Sequence, residues 1–193
     1  MKTICLSAVI ILIVGIEPGY SQSTFGFFNY VPSVGLDAPV FDAAGNRLSG
    51  TNYLAMLYGG PSVDSLAPAR LGNSVMAPVS FTAMRNGQSG YFAGLGSVEI
   101  DTVPCCLFVS LQVRAWDARL GSSYETVAAL GIGGYGESPL FQARGGDLVG
   151  GPPSQPLLGL QSFSLLPVVP EPSSFLLLLL GLPLFLFRHR WSK

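Results

Sequence analysis

Residues 107–116, Leu-Phe-Val-Ser-Leu-Gln-Val-Arg-Ala-Trp, decide the fold class of this chain. Apolar side chains recur there at every second position, which is the period of a β-strand. The face expected to pack inward consists of Leu107, Val109, Leu111, Val113 and Ala115. The opposite face carries Phe108, Ser110, Gln112, Arg114 and Trp116, and we expect it to meet solvent or a surface rimmed by aromatic rings.

Short β-prone runs separated by glycine and proline continue on both sides of this strand, which is typical of an all-β sandwich or barrel. The further predicted strands cover residues 25–31, 38–41, 53–58, 75–83, 90–92, 98–100, 140–143 and 158–165. Together they predict a single all-β, β-sandwich-like (jelly-roll-like) domain over residues 24–166. Its length is that of one ordinary domain.

One short helix and one turn interrupt the predicted strands. Ser122 and Glu125 have the spacing of a capping box and predict a helix over residues 123–130. Residues 42–46, Asp-Ala-Ala-Gly-Asn, predict a turn, because glycine and asparagine tolerate left-handed backbone conformations. Asp37 and Asp42 are also candidate calcium ligands, but the spacing matches no EF-hand loop, and the turn explains it adequately.

The N-terminus has the organisation of a signal peptide. Lys2 precedes an apolar run of 13 residues, 4–16, which is too short to span a bilayer comfortably. Small residues then offer two cleavage sites for signal peptidase, after Ser21 and after Ser23. We therefore expect residues 1–23 to direct export and to be removed. A buried N-terminal helix is the alternative.

The C-terminus combines a short motif, an apolar run and a basic end. Pro170-Glu171-Pro172 precedes an apolar run over residues 175–187, and Arg188-His189-Arg190 follows it. As a helix, the 13 residues of the run extend about 20 Å, less than the hydrocarbon core of about 30 Å. Pro183 weakens such a helix further. The pattern predicts a transient anchor with the body outside the cytoplasmic membrane, and a permanent anchor is the alternative.

Several chemistries are excluded by composition. His189 is the only histidine, and the only lysines are Lys2 and Lys193, so the body has neither imidazole nor amine side chains. This excludes Ser-His-Asp and Cys-His catalysis, the commonest metal ligand and lysine nucleophiles. Six arginines are dispersed among nine carboxylates in residues 24–166, which provides no basic patch for nucleic acid. We expect no enzyme activity, no metal ion and no cofactor.

Three weaker candidates remain in the body. The carboxylate pairs Glu99 with Asp101 and Glu125 with Glu137 have the residue types for glycoside hydrolysis, although no motif supports that activity. Adjacent Cys105 and Cys106 allow a vicinal disulfide, pairing with another chain or free thiols. The candidate aromatic platform for sugars consists of Tyr91, Trp116 and Tyr135.

The C-terminal segment, 167–193, resembles the PEP-CTERM sorting signal of exported proteins of Gram-negative bacteria. The resemblance rests on Val169-Pro170-Glu171-Pro172-Ser173, the apolar run and the arginine cluster. It implies an exosortase-type transpeptidase that recognises Pro170, Glu171 and Pro172 and removes the run, with Arg188 and Arg190 as the retention signal. The body resembles small domains that precede such tails, on residues 51–61 and 112–117.

Taken with the resemblance, the sequence predicts a cell-surface or extracellular-matrix protein that is structural or adhesive in exopolysaccharide and biofilm. Its expected partners are signal peptidase, the transpeptidase, the membrane during sorting, and extracellular polysaccharide. The alternative is a surface carbohydrate-binding module, or a glycosidase that relies on carboxylates alone.

Overall fold

The computed structural model describes residues 21–81, 89–147 and 150–169. Its helices are two 3-10 turns, Pro32–Val34 and Val63–Ser65, and one α-helix, α1 (Tyr124–Leu130). Its strands are β1 (Gln22–Phe28), β2 (Tyr30–Val31), β3 (Leu36–Asp37), β4 (Val40–Phe41), β5 (Gly50–Gly60), β6 (Ala67–Pro68), β7 (Arg70–Leu71), β8 (Ser74–Val75), β9 (Val79–Phe81), β10 (Ala93–Pro104), β11 (Phe108–Asp117), β12 (Tyr135–Glu137), β13 (Phe141–Arg144), β14 (Gln155–Pro156) and β15 (Phe163–Ser164).

Two main sheets form the body. The first has the order β14-β1-β10-β7-β8. The second follows β12-β11-β5-β6, and β13 also pairs with β11 while β9 pairs with β5. β11 and β5 form its longest antiparallel pairing, from Ser110 opposite Gly60 to Asp117 opposite Tyr53. This architecture confirms the predicted all-β, sandwich-like class with one short α-helix.

The core lies between the two sheets. On β11, the side chains of Val109, Leu111, Val113 and Ala115 are fully buried, as the alternation predicted. The prediction is wrong for Leu107, which precedes the strand and is 53% exposed. Gly59 lies opposite Leu111 on β5, and a Cβ atom there would come within 2.6 Å of Ile100 from the other sheet. Only glycine therefore allows the sheets to approach this closely at that point.

The second face of β11 differs from the expectation. Phe108 at the start of the strand is 68% exposed, but Ser110, Gln112 and Trp116 are buried. α1 packs against this strand, and Tyr124 of the helix contacts the ring of Tyr58 on β5. Because α1 lies over this region, the face does not meet solvent as an open surface. The expected aromatic surroundings are present, but they are interior.

Several predicted boundaries are also wrong. The opening strand ends at Phe28, because Asn29 turns inward and its buried amide donates to the carbonyls of Ala38 and Gly90. β10 is much longer than the predicted strand at 98–100. The predicted closing strand at 158–165 is reduced to β15. Local propensity does not report these tertiary hydrogen bonds.

The described residues include no helix that is long and apolar enough to cross a membrane. The apolar runs at 4–16 and 175–187 lie outside the described residues.

Candidate functional site

The most connected polar group in the body is centred on Arg114 of β11. Its guanidinium carbon lies 4.1 Å from the ring centroid of Tyr58 and 5.0 Å from that of Tyr124. Its Nε donates to Oε1 of Gln112 at 2.9 Å. We call Tyr58, Gln112, Arg114, Tyr124, Glu125 and Glu137 the Arg114 cluster. It joins α1 to β5, β11 and β12.

The structure brings together one of the two carboxylate pairs considered from the sequence. Glu125 accepts a hydrogen bond from the hydroxyl of Tyr58 at 2.5 Å, and Glu137 accepts one from the hydroxyl of Tyr124 at 3.2 Å. The same carboxylates lie 3.7 Å from Nη1 and 3.9 Å from Nε of Arg114. The two tyrosines were not predicted from the sequence, because Tyr58 reaches the cluster from a strand that is distant in the chain.

The surroundings in the cluster raise the pKa values of both tyrosine hydroxyls. Burial raises the pKa of the Tyr58 hydroxyl, and the hydrogen bond to Glu125 raises it further. Burial likewise raises the pKa of Tyr124, with the charge of Glu137 adding to it. Both hydroxyls are therefore held protonated as hydrogen-bond donors well above neutral pH.

The hydrogen bonds and ion pairs of the cluster connect α1 to the neighbouring strands. A glycosidase places its two carboxyl groups on either side of the bond to be cleaved. Here one guanidinium contacts both Glu125 and Glu137, so Arg114 occupies the position that a sugar would need. On the other candidate pair, Asp101 lies 3.5 Å from Nε of Arg70, and Glu99 is a partly buried residue of β10 whose backbone lies opposite Thr24.

The predicted aromatic platform is wrong for two of its three residues. Trp116 is 1% exposed, and its Nε1 has no acceptor among the residues that the structure describes. Tyr91 is 7% exposed, and its hydroxyl donates to Asp37 at 2.7 Å. Tyr135 is partly buried and meets the ring of Tyr124 edge-on at 5.7 Å. These rings belong to the interior because the sandwich and α1 enclose them.

The turn at 42–46 is confirmed. Oδ1 of Asp42 accepts from the backbone N–H groups of Ala44 and Asn46 at 2.9 and 2.8 Å, and Oδ2 accepts from the amide of Asn46. These hydrogen bonds lower the pKa of Asp42. Gly45 has φ of +84°, which favours glycine. Within the described ranges, no group of three or more histidine, cysteine, aspartate or glutamate side chains has an arrangement suited to a metal ion.

Cys105 and Cys106 form the turn by which the chain passes from β10 in one sheet to β11 in the other. Both are free thiols and partly exposed. Cys106 has φ of +64°, and its carbonyl accepts a hydrogen bond from Nε of Arg144 at 2.8 Å. Contact with the thiol of Cys106 raises the pKa of Cys105. The two cysteines thus lie in a tight turn and form no disulfide with each other.

An open groove of about 580 Å³ on the first sheet was not foreseen from the sequence. Phe28 is a partly exposed aromatic ring in it, and Gly26 and Gly96 leave its floor free of side chains. The Ser154 hydroxyl donates to Oγ1 of Thr24 at 3.2 Å and is bonded to Ser97. The groove is thus open and has an aromatic ring on its wall. Its serine and threonine hydroxyls are already hydrogen-bonded to one another.

Hydrogen bonds connect the first described residues to the end of β10 and the turn that follows it. Ser23 is fully buried in β1 and its hydroxyl donates to the carbonyl of Pro104 at 2.6 Å. The backbone carbonyl of Ser21 accepts from Cys105 at 2.6 Å. β1 thus includes Gln22 and Ser23, the two residues before the expected body.

At the other end, the backbone N–H of Leu166 donates to Tyr135 at 2.8 Å, and that of Val169 donates to Ile132 at 2.7 Å. These hydrogen bonds connect the last described residues, 166–169, to residues 132–135. The predicted sorting residues, Pro170, Glu171, Pro172, Arg188 and Arg190, lie outside the described residues.

Comparison with known proteins gave no relatives for this chain. No family model matches it, and no significant match was found among curated proteins or among solved structures.

Proposed function

We propose that this chain is an exported protein whose body is delivered to the cell surface or extracellular matrix by a cleavable C-terminal sorting signal. There it serves as a structural or adhesive component of exopolysaccharide or biofilm. The observation that carries the proposal is the order of three features at 170–193: the Pro-Glu-Pro motif, an apolar run of 13 residues and the arginines. This order suits a removable address better than a permanent anchor, because the run is short for a bilayer and contains Pro183.

The described strands are compatible with this proposal. β1 begins at Gln22, the residue after the first signal-peptidase candidate Ser21. At the other end, the backbone N–H of Val169, the residue before the motif, donates to Ile132. Cleavage after Ser21 and beyond Val169 therefore leaves every described strand complete, although it removes the hydrogen bond between Ser21 and Cys105.

The roles follow from the resemblance. Signal peptidase removes the leader, and the cytoplasmic membrane holds the tail until processing. Pro170, Glu171 and Pro172 are the recognition residues of an exosortase-type transpeptidase, and Arg188 and Arg190 retain the tail on the cytoplasmic side. A non-enzymatic role is supported by the Arg114 cluster, whose charged groups bind one another within the fold.

Mass spectrometry of the surface-extracted protein tests the sorting. The chain is expressed with its own leader in a host that has the transpeptidase and in an isogenic strain that lacks it. We expect the surface form to lack residues 175–193 only in the first host. Glu171→Ala should abolish this processing, whereas the matched control Glu137→Ala, in the body, should not. A surface form that retains residues 175–193 in the first host would leave only the permanent anchor.

A carbohydrate-binding module is the second candidate, and the groove beside Phe28 is the observation that favours it. Aromatic rings in open grooves suit stacking on sugar rings. Pull-down of the chain with extracellular polysaccharide tests this, with Phe28→Ala expected to reduce binding. Phe108→Ala is the matched control, because Phe108 is exposed and does not line the groove. Equal binding by both variants, or no binding by the parent chain, argues for a purely structural body.

A further inference from the structure

Four exposed apolar side chains lie near the C-terminal end of the described residues. They are Leu130 at the end of α1 and Leu166, Val168 and Val169 on the last segment, and each is 46–61% exposed. We call these four residues the exit patch. Isolated exposed apolar residues are ordinary on protein surfaces, whereas a group of them at one place indicates a contact.

The backbone holds these four residues together. Gly131, with φ of +69°, ends α1 and leads directly from Leu130 to Ile132. The carbonyl of Ile132 accepts the hydrogen bond from Val169. A Cβ atom on Gly133 would lie 1.9 Å from the carbonyl oxygen of Pro167, so only glycine allows the last segment to lie flat here. The patch is therefore part of the fold and does not depend on a free tail.

The length of the chain beyond the patch limits what can cover it. Residues 170–174 are all that separate Val169 from the apolar run at 175–187. Six Cα–Cα steps span at most about 22 Å, even when fully extended. With the run inserted in a bilayer, Val169 is held within about 22 Å of the hydrocarbon core. The exit patch then lies within reach of the lipid headgroups.

We propose that the exit patch contacts the phospholipid surface of the membrane while the tail is still attached. This rests on the proposed function, because it requires residues 175–187 to be inserted. Tyr53 and Arg119 border a depression of about 220 Å³ that Leu166 and Val168 also line, and the guanidinium of Arg119 is paired there with Asp117. Tyrosine and arginine suit the headgroup layer, since each has an apolar part and a polar tip. Four partly exposed side chains bind lipid weakly, so the body leaves the surface once the tail is cut.

Photo-crosslinking to lipid tests this contact. The full gene is expressed in a bacterium without the transpeptidase, and the tail-bearing protein is purified and reconstituted into vesicles of phosphatidylethanolamine and phosphatidylglycerol with a photoactivatable phospholipid. Flotation of the vesicles reports insertion of the tail, and mass spectrometry locates lipid adducts on the body. We expect adducts at Leu130 and at 166–169. We expect none at Leu71 and Val75, which are comparably exposed but lie on the other sheet.

The variant Leu130→Ser with Val168→Ser and Val169→Ser should lose most of the adducts on the body and still float with the vesicles. The matched variant Leu71→Ser with Val75→Ser should keep both properties. Flotation without adducts at the patch, or adducts spread equally over both sheets, would overturn the contact and leave the proposed function standing. A parent chain that fails to float would overturn both.

Discussion

At the scale of single residues, the side chains of β11 show how far an alternating pattern reaches. The pattern placed Val109, Leu111 and Val113 correctly, because their burial follows from strand geometry alone. It could not place Arg114, whose partners Tyr58 and Glu125 come from elements far apart in the chain. A charged side chain predicts exposure from sequence, but two tyrosine faces and two carboxylates make a partly buried site favourable for arginine.

The tyrosines of the Arg114 cluster predict a loss of stability at alkaline pH. Their pKa values are raised in the folded state, whereas the unfolded chain releases these protons near the ordinary value of about 10. Proton release therefore favours the unfolded state above about pH 10. The free energy of unfolding should fall there by up to about 1.4 kcal/mol per pH unit for each tyrosine.

Urea denaturation between neutral pH and pH 11 measures this effect. The variant Tyr58→Phe with Tyr124→Phe should show a shallower decline than the parent, because phenylalanine has no proton to release. Tyr30→Phe is the control, since Tyr30 is an exposed tyrosine outside the cluster. Parallel declines in the parent and the double variant would show that other groups govern the alkaline behaviour.

The burial of Trp116 leads to a second prediction. The structure shows that this residue belongs to the core and not to a sugar-binding platform. Trp116→Ala should destabilise the fold by about 3–5 kcal/mol, as large-to-small core substitutions do. Trp116→Phe should cost much less, because a ring remains and the unpaired indole N–H is removed. Urea unfolding followed by far-ultraviolet circular dichroism compares the two. Equal stability of Trp116→Ala and the parent would contradict burial of the ring.

At the scale of elements, α1 was predicted in its correct place but with the wrong cap. The capping-box spacing selected Ser122, whereas Ser123 is the N-cap, and its hydroxyl accepts from the backbone N–H of Thr126 at 3.2 Å. Two adjacent serines are equivalent in a pattern and differ only in the backbone conformation that tertiary packing imposes. The side chain of Glu125 binds Tyr58 instead of closing a capping box.

Alanine variants of the two serines test which of them caps α1. Ser123→Ala should lower the free energy of unfolding by about 1 kcal/mol, the usual cost of a lost N-cap. Ser122→Ala should change it by less than about 0.5 kcal/mol, as exposed substitutions away from special features do. Thermal and urea unfolding of both variants provide the measurement. The opposite ranking would restore the cap that the sequence pattern suggested.

At the scale of the whole molecule, the class of fold was accessible from the sequence, but its limits were not. Glycine, proline and short apolar runs predict a sandwich wherever they recur. The limits depend on single hydrogen bonds, such as those of Ser23 with Pro104 and Val169 with Ile132, which join residues distant in the chain. These bonds include residues on both sides of the range 24–166 that the sequence predicted for the body.

The N-terminal limit separates the two candidate sites of signal peptidase. Cleavage after Ser21 leaves β1 complete, whereas cleavage after Ser23 removes Gln22 and a buried serine whose hydroxyl binds Pro104. Loss of Ser23 would leave the carbonyl of Pro104 without this donor and shorten β1, which would cost stability, so we expect the exported form to begin at Gln22. Mass spectrometry of the N-terminal peptide decides between the sites. Gly19→Trp should block this cleavage and spare the second site, because Gly19 is the small residue at −3 of the first site only, while the control Gln22→Ala should not. Cleavage forced to the second site should lower the midpoint of urea unfolding, and a parent chain that begins at Thr24 with unchanged stability would contradict the role assigned to Ser23.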